Sequence, residues 1–312
     1  MNVQCPNCKE LNTKFVDKYK FNVIYDEIFF KKMNIYNCNE CELNFTEPMP
    51  SNEDLEKYYR FVYRAKYRPH NIDDKVPKSI LQSRLGLLTQ HINFSKVKNV
   101  LDVGAGNGEI GELLKQNFNL NIFSIEPDKF ARDMLAARGY LNFDLNFQKE
   151  LKFDLIISTH SLEHFTSIDD FFKIFENNLD KNAILFIEVP HNPLELWFNA
   201  RPYDSPHCLF FSKKALENMF ARRNYKIVFS DYVGDDIDTV FKLMKESKEK
   251  FQYWRPNQVN IKKVLKEVIK KFIPSFVLKL RSNIINFSSD ANYNNFKYGD
   301  KNSGCLRILL KK

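Results

Sequence analysis

Along this 312-residue chain, the spacing of apolar and polar positions changes repeatedly, and each change marks a predicted element. From residue 99 onward, short runs rich in β-branched and aliphatic residues alternate with segments of helical period. "NVLDVG", "NIFSIE", "FDLIIST", "AILFIEVP" and "YKIVFSDYV" read as strands. Helices are expected near 109–117, 128–138, 167–178 and 212–223, and a weak strand near 141–145. "SGCLRILLKK" closes the pattern as a last strand. Regular exchange of strand and helix predicts an α/β fold: a doubly wound, seven-stranded, mostly parallel sheet covered on both faces. Ligands of such a sheet sit beyond the carboxyl ends of its strands.

Upstream, the pattern is different. "KFVDKYKFNVIYDEIFFKKMNIYNC" is rich in β-branched and aromatic residues, as a hairpin needs. Pro48 and Pro50 mark a linker, Ser51 to Asp54 resemble a capped helix start, and another helix is expected near 78–92. Tyr58, Tyr59, Tyr63 and Tyr67 recur at helical spacing, suited either to packing on the main domain or to lining a cleft. Between 235 and 302 a long insertion precedes the final strand. Within it Ile261, Val264, Leu265, Val268, Ile269 and Phe272 share one helical face, with Lys262, Lys263, Lys266, Lys270 and Lys271 elsewhere on the helix. Such a basic amphipathic helix suits a lid, a dimer contact, or an anionic surface of membrane or glycan reached through 259–281. The expected organisation is 1–46, a cysteine-paired ribbon; 47–94, a linker and helical cap; 95–234, the sheet core; 235–302, the insertion; and 303–312, the final core strand.

Charge sharpens this division. The net charge is +8. Residues 240–282 hold 12 Lys/Arg against 3 Asp/Glu, about +9, which leaves the rest near −1. A nucleic-acid groove would spread its basic charge over the main domain, so nucleic acid is not the expected partner. With 44% hydrophobic residues the chain has the composition of a packed globular protein. The start "MNVQCPNCKE" has no apolar signal core, and no stretch approaches the roughly 20 uncharged residues of a membrane span. A cytoplasmic location is expected, with the insertion as a peripheral contact to the inner membrane face under the anionic-surface reading.

Cysteine spacing adds the first chemistry. Cys5 and Cys8 form "CPNC", and Cys38 and Cys41 form "CNEC". Two such pairs suit a tetrahedral zinc ion, because each tight turn aims two thiolates at one point. Four cysteines close the coordination sphere, so the zinc is expected to be structural. Residues 1–46 carry six basic and six acidic side chains, which gives DNA binding by the ribbon little support.

"NVLDVGAGNGEIG" carries the second. The strand ends at Gly104, so the tight turn begins there, and the run reads G-x-G-x-G rather than the dinucleotide fingerprint starting at Gly106. Asp102 just before the turn would face pyrophosphate in a dinucleotide site, but it suits a cationic cofactor. The stretch resembles motif I of class I S-adenosylmethionine-dependent methyltransferases, and the likeness covers about 95–234 plus the final strand. It implies a Rossmann-like methyltransferase sheet in which Gly104, Gly106 and Gly108 let the backbone approach the cofactor. Asp102 would lie near its amino-acid or loop contacts. Glu126 would accept from the ribose hydroxyls, Asp128 would start the next helix, and Asp144 is a weaker candidate for the adenine. "FDLIISTHSLEHF" looks like the family's fourth-strand motif, with Thr159 and His160 facing the methionine moiety.

An acceptor hydroxyl needs a base, and His is the usual one near neutral pH. His160, His164, His191 and His207 follow the fourth and fifth strands on the expected active edge, whereas His70 and His91 do not. With the cysteine pairs in front, "IEVPHNPLELWFNARPYDSPHCLFFSKKALENMF" resembles zinc-containing sugar methyltransferases acting on nucleotide-linked sugars. That likeness places the histidine base at His207; His164 is the next candidate, and Glu163 is expected to orient a neighbour or cap the helix at Thr166. The Tyr and Glu positions of those enzymes read Asp204 and Pro206 here, which favours O- over C-methylation. The expected function is methyl transfer to a sugar hydroxyl of a nucleotide-linked sugar or surface polysaccharide. The alternatives are a small-molecule or lipid-headgroup methyltransferase and a zinc-ribbon nucleic-acid binder with an inactive domain.

Overall fold

A computed structural model describes residues 3–19, 32–59, 78–142, 151–191, 207–236, 297–299, 301 and 303–312. Tyr63, Tyr67, His70, Asp144, Asp204, Pro206 and the basic helix of 259–281 lie outside the described residues. Among the described residues, no helix is long and apolar enough to cross a membrane.

Two sheets carry the architecture. The smaller is built from β1 (Thr13–Lys18), β2 (Asn34–Cys38) and β3 (Asn44–Glu47), antiparallel in that order. Among the described residues, α1 (Asn52–Tyr58) and α2 (Lys78–His91) follow. The core then runs β4 (Asn99–Val103), α3 (Glu109–Asn117), β5 (Asn121–Ile125), α4 (Lys129–Ala137), β6 (Leu141–Asn142) and β7 (Phe153–Thr159). It continues through α5 (Ile168–Lys173), β8 (Leu179–Pro190), β9 (Leu209–Phe210), α6 (Lys213–Ala221), β10 (Lys226–Asp236), β11 (Lys297–Tyr298) and β12 (Ser303–Lys311).

The large sheet has the order β11-β10-β12-β8-β7-β4-β5-β6. Strands β6, β5, β4, β7 and β8 are parallel neighbours, and β12 runs antiparallel between β8 and β10. The seven expected strands are therefore joined by an eighth, the two-residue β11, which pairs with Val233 and Gly234 at the edge. The expected insertion of 235–302 begins and ends inside this sheet, since β10 reaches Asp236 and the chain is back in it at Lys297.

Strand residues alternate between two buried faces. Leu101, Phe153, Ile156, Leu185, Ile187, Leu306 and Ile308 enter one core with α5, α6 and the cysteine ribbon. Val100, Ile122, Leu155, Ile157, Phe186 and Leu309 enter the other, under α2 and α3. Burial on both faces explains why these strands read as continuous apolar runs.

Local chemistry starts the helices. Ser51, Asp128, Ser167 and Ser212 are N-caps, each accepting from the backbone N–H three residues on, an interaction worth about 1 kcal/mol apiece. The cap of α5 is thus Ser167; Thr166 instead donates to Asn52 Oδ1 at 3.1 Å. The helix expected over 167–178 ends at Lys173 and is followed by a 3-10 turn, Glu176–Asn178. Phe171, Phe172 and Phe175 pack edge-on there, and the Asn178 side-chain amide donates to the Leu151 carbonyl at 2.8 Å.

The two sheets are not separate. Strand β9, just after His207, pairs with β3 as the fourth strand of the ribbon sheet. His191, at the end of β8, bridges to Phe211. The ribbon expected to end at residue 46 therefore shares its sheet with the segment that follows the fifth core strand.

Candidate functional site

The glycine run leaves β4 as a tight turn at the carboxyl edge of the sheet. Gly104, Gly106 and Gly108 all have positive φ, at 75°, 55° and 77°. Ser161, just past β7, fills the space beside Gly104: a Cβ there would lie 2.1 Å from Ser161 Oγ. Gly106 is different, because a Cβ built on it meets nothing within 4 Å. One glycine thus packs the turn against the fourth strand, and the other leaves backbone facing open space. Gly108 caps α3 with no side chain to do so.

Glu126 closes the turn from the end of β5. Its Oε2 accepts from the Gly106 N–H at 2.8 Å, and its Oε1 accepts from the Asp128 N–H at 2.9 Å. A carboxylate oxygen carries two lone pairs, so such a group can accept from backbone N–H groups and from hydroxyls alike. Asp128 itself accepts from the Ala131 N–H at 2.8 Å as the cap of α4.

Asp102, the last polar residue of β4, is 1% exposed. Its Oδ2 has no hydrogen-bond partner among the described residues. Burial pushes its carboxyl up to about 7, with the charge of Glu126 adding to the rise and Arg84 opposing it. A buried carboxylate with an unused oxygen beside an open backbone cradle suits a cationic group on a ligand. The residues therefore fit the sulfonium cofactor that the sequence resemblance implies.

Past β7 the chain makes a 3-10 turn, Leu162–His164, that carries the acid and imidazole groups. Glu163 is 1% exposed. Its Oε1 lies 3.7 Å from His164 Nε2 and 3.8 Å from His160 Nδ1, and its Oε2 has no partner among the described residues. The His164 ring meets His207 edge to face at 4.7 Å between centroids and Tyr59 at 6.2 Å. Glu163, His164 and His207 each bring one ligand-type atom within 4.8 Å of the others. The fold thus unites His164 and His207, more than 40 residues apart in the chain, next to the serine that abuts Gly104.

His160 stands between Glu163 and Glu188. Its backbone is left-handed, with φ at 51°, and its N–H donates to the Glu188 carbonyl at 2.8 Å. Nε2 lies 3.1 Å from Glu188 Oε1 and 3.8 Å from Cys305 Sγ. Thr159, at the end of β7, pairs with Glu188 in the sheet. His191 is turned to the Ser303 carbonyl at 3.1 Å and the Tyr232 ring, and His91 packs by Phe229.

Glu188 is the functional-edge residue that pattern reading missed. It is buried, with Arg84 Nη2 at 2.5 Å from its Oε1 and Arg307 Nε donating to its Oε2. Burial alone would raise the Glu188 carboxyl, but Arg84 and Arg307, and after them His160, hold it well below the usual carboxylate range. Arg307 also donates to Ser83 Oγ at 2.7 Å and the Tyr298 hydroxyl at 3.0 Å. The only local signal was a glutamate inside the apolar run "ILFIEVP".

The four ribbon cysteines converge. Cys5 Sγ lies 3.6 Å from Cys41 Sγ, and Cys8 Sγ lies 3.4 Å from Cys38 Sγ, with all four sulfurs within 4.8 Å of one another. A tetrahedral zinc with Zn–S of about 2.3 Å needs sulfurs about 3.8 Å apart. The two turns are built alike. Lys9 and Glu42 have φ at 65° and 61°, and their N–H groups donate to the carbonyls of Cys5 and Cys38 at 3.0 and 2.9 Å. This donor set and geometry fit a structural zinc.

Residues 67–229 match a family described as a methyltransferase domain. No curated protein matches the chain. Among solved structures it is similar to a SAM-dependent methyltransferase from Archaeoglobus fulgidus, with 17% identity, 82% of this chain and 100% of that chain covered, and a TM-score of 0.47. It is also similar to coclaurine N-methyltransferase bound to N-methylheliamine and SAH, with 13% identity, 77% and 75% coverage and a TM-score of 0.45. A third is StiE O-MT residues 961–1257, with 15% identity, 82% and 81% coverage and a TM-score of 0.42.

Proposed function

The chain belongs to the methyltransferase-domain family, and from that premise we propose that it methylates a sugar hydroxyl, free on a nucleotide or within a surface polysaccharide, with His207 as general base. When bound, S-adenosylmethionine supplies an electrophilic methyl group on a sulfonium, whose departure leaves the neutral thioether of S-adenosylhomocysteine. Asp102 and the open face at Gly106 receive the charged amino-acid end, and Glu126 accepts from the ribose hydroxyls. His207 takes the proton of the acceptor hydroxyl as its oxygen attacks the methyl carbon, a service worth about 10²- to 10⁴-fold. His164 and Tyr59 wall the acceptor side. The ribbon holds a structural zinc on Cys5, Cys8, Cys38 and Cys41.

The observation that carries this reading is the meeting of His164 and His207 at 4.7 Å beside the turn whose Ser161 abuts Gly104. An imidazole pair beside the glycine turn supports a base there. The sugar acceptor itself rests on the likeness of the ribbon and of "HCLFFS" to sugar methyltransferases.

The test uses purified protein, labelled S-adenosylmethionine, and pooled nucleotide sugars and polysaccharide. Turnover is expected, and His207→Ala should lose about 100-fold or more of it while S-adenosylhomocysteine still binds in calorimetry. Full turnover by His207→Ala would remove the base assignment. Absence of any heat with S-adenosylhomocysteine would remove the cofactor. The 4.8 Å cluster of Glu163, His164 and His207 favours one other reading, a divalent cation held at the acceptor side; a second metal equivalent per chain would support that instead.

A further inference from the structure

The segment that carries His207 is held from two sides. On the core side, the Cys208 N–H donates to the Glu163 carbonyl at 2.8 Å. On the ribbon side, the His207 N–H donates to the Tyr19 hydroxyl at 3.0 Å. The Thr46 N–H donates to the Cys208 carbonyl at 3.0 Å, and Phe45 and Asn44 pair with Leu209 and Phe210. Tyr19 is itself fixed, because it is 7% exposed, its N–H donates to the Met33 carbonyl at 2.9 Å, and its ring lies against Phe210.

These contacts lead back to the cysteines. Cys38 ends β2, Cys41 precedes β3, and the turn between them is closed by Glu42 N–H to Cys38 carbonyl and Cys38 N–H to Leu43 carbonyl, both 2.9 Å. Strand β3 begins three residues after Cys41 and is the strand to which β9 is paired. Whatever fixes the Cys38–Cys41 turn therefore fixes the template for the His207 segment.

We infer that the cysteine ribbon is the positioning element for His207: Tyr19 and strand β3 hold the imidazole at the acceptor side, so the metal state of the ribbon controls base placement independently of cofactor binding. Tyr19 is a positioning residue, acting through the His207 backbone. The inference rests on the base role of His207 for its catalytic meaning, but the mechanical link stands on the contacts alone.

The experiment uses the full chain. Tyr19→Phe deletes one hydroxyl without emptying the core, so the fold should persist. Hydrogen exchange read by mass spectrometry should show the peptide spanning His207 exchanging about 5-fold faster, the factor lost with one neutral hydrogen bond. Among the six histidines, the His207 imidazole signal and that of His164, whose ring it meets, should move in the NMR spectrum of ¹³C-histidine-labelled protein, assigned with His207→Gln, and the other four should stay. The Kd for S-adenosylhomocysteine should stay within about twofold. Chelation of the ribbon metal should expose the same peptide while 99–117 keeps its protection. Unchanged His207 exchange and resonance in Tyr19→Phe would overturn the inference, as would full protection of 207–211 after verified metal loss. Should chelation unfold the whole chain, Tyr19→Phe alone decides. Failure of S-adenosylhomocysteine to bind the loaded wild type would instead strike the proposed function and leave the exchange result standing.

Discussion

Replacing Gly104 and Gly106 separately by alanine tests the cofactor loop, because the two positions differ in what a methyl group would meet. Both need a left-handed backbone, with φ at 75° and 55°, which costs a non-glycine residue about 1–2 kcal/mol. At Gly104 the new Cβ would also fall 2.1 Å from Ser161 Oγ and 2.5 Å from Ser161 Cβ. Overpacking of that kind adds about 1–3 kcal/mol. Gly104→Ala should therefore melt roughly 4–20 °C lower, taking about 2–4 °C per kcal/mol for a domain of this size. At Gly106 nothing lies within 4 Å, so only the backbone strain remains and melting should fall by a few degrees. Its methyl group would occupy the face assigned to the donor, however. An overlap of about 1–3 kcal/mol there weakens S-adenosylhomocysteine by about 5- to 150-fold. Differential scanning fluorimetry and calorimetry on the two variants give both numbers. Wild-type affinity in Gly106→Ala, or affinity lost at Gly104 with no change in melting, would refute the assignment of Gly106 as the cradle.

Glu188→Gln leaves Arg84 and Arg307 without their carboxylate, and should cost about 3–5 kcal/mol in a denaturant titration. Because Glu188 is held below its ordinary value of 4.5, its contribution is present above that value and is lost as pH falls through the lower, folded-state one; acid unfolding should be shallower in the variant. Asp102 titrates higher when folded, at about 7, so its protonation favours the folded state at lower pH, whereas its charge favours a cationic ligand. S-adenosylhomocysteine affinity should thus fall as pH drops from about 8 to about 6, and Asp102→Asn should flatten that profile in calorimetry. Elemental analysis should find one zinc per chain, lost in Cys41→Ser together with ribbon protection in hydrogen exchange; an undiminished zinc content in that variant would exclude the four-cysteine site.

The parts of this molecule that were legible beforehand are those whose cause is local. Continuous apolar runs gave the core strands, because a parallel sheet is dry on both faces, and Ser51 announced its helix by capping chemistry. Cys5, Cys8, Cys38 and Cys41 were legible through spacing, and Gly104 through the strand that ends at it. What escaped has non-local causes. Arg84 lies 104 residues before Glu188 and Arg307 lies 119 after it, and no period links them. Strand β9 is two residues long, too short to have a pattern, and its partner β3 lies more than 160 residues earlier. Tyr19 looked like one aromatic of a hairpin, and only the folded contact gives it a part at the site. The helix expected over 167–178 failed for a related reason, since Asn178 and the Phe cluster answer to neighbours outside the helix.

Strands β10 and β11 pair antiparallel through Val233–Tyr298 and Gly234–Lys297, and Tyr298 is pinned by Arg307 and the Phe229 ring. The chain on either side of residues 237–296 therefore leaves and re-enters the sheet at adjacent points, like the two feet of an arch. A stretch anchored that way can lengthen or shorten at little expense to the rest, because each doubling of a closed loop costs only about 0.6 kcal/mol. Replacing residues 237–296 by a short turn between Asp236 and Lys297 should therefore leave a folded protein that still binds S-adenosylhomocysteine.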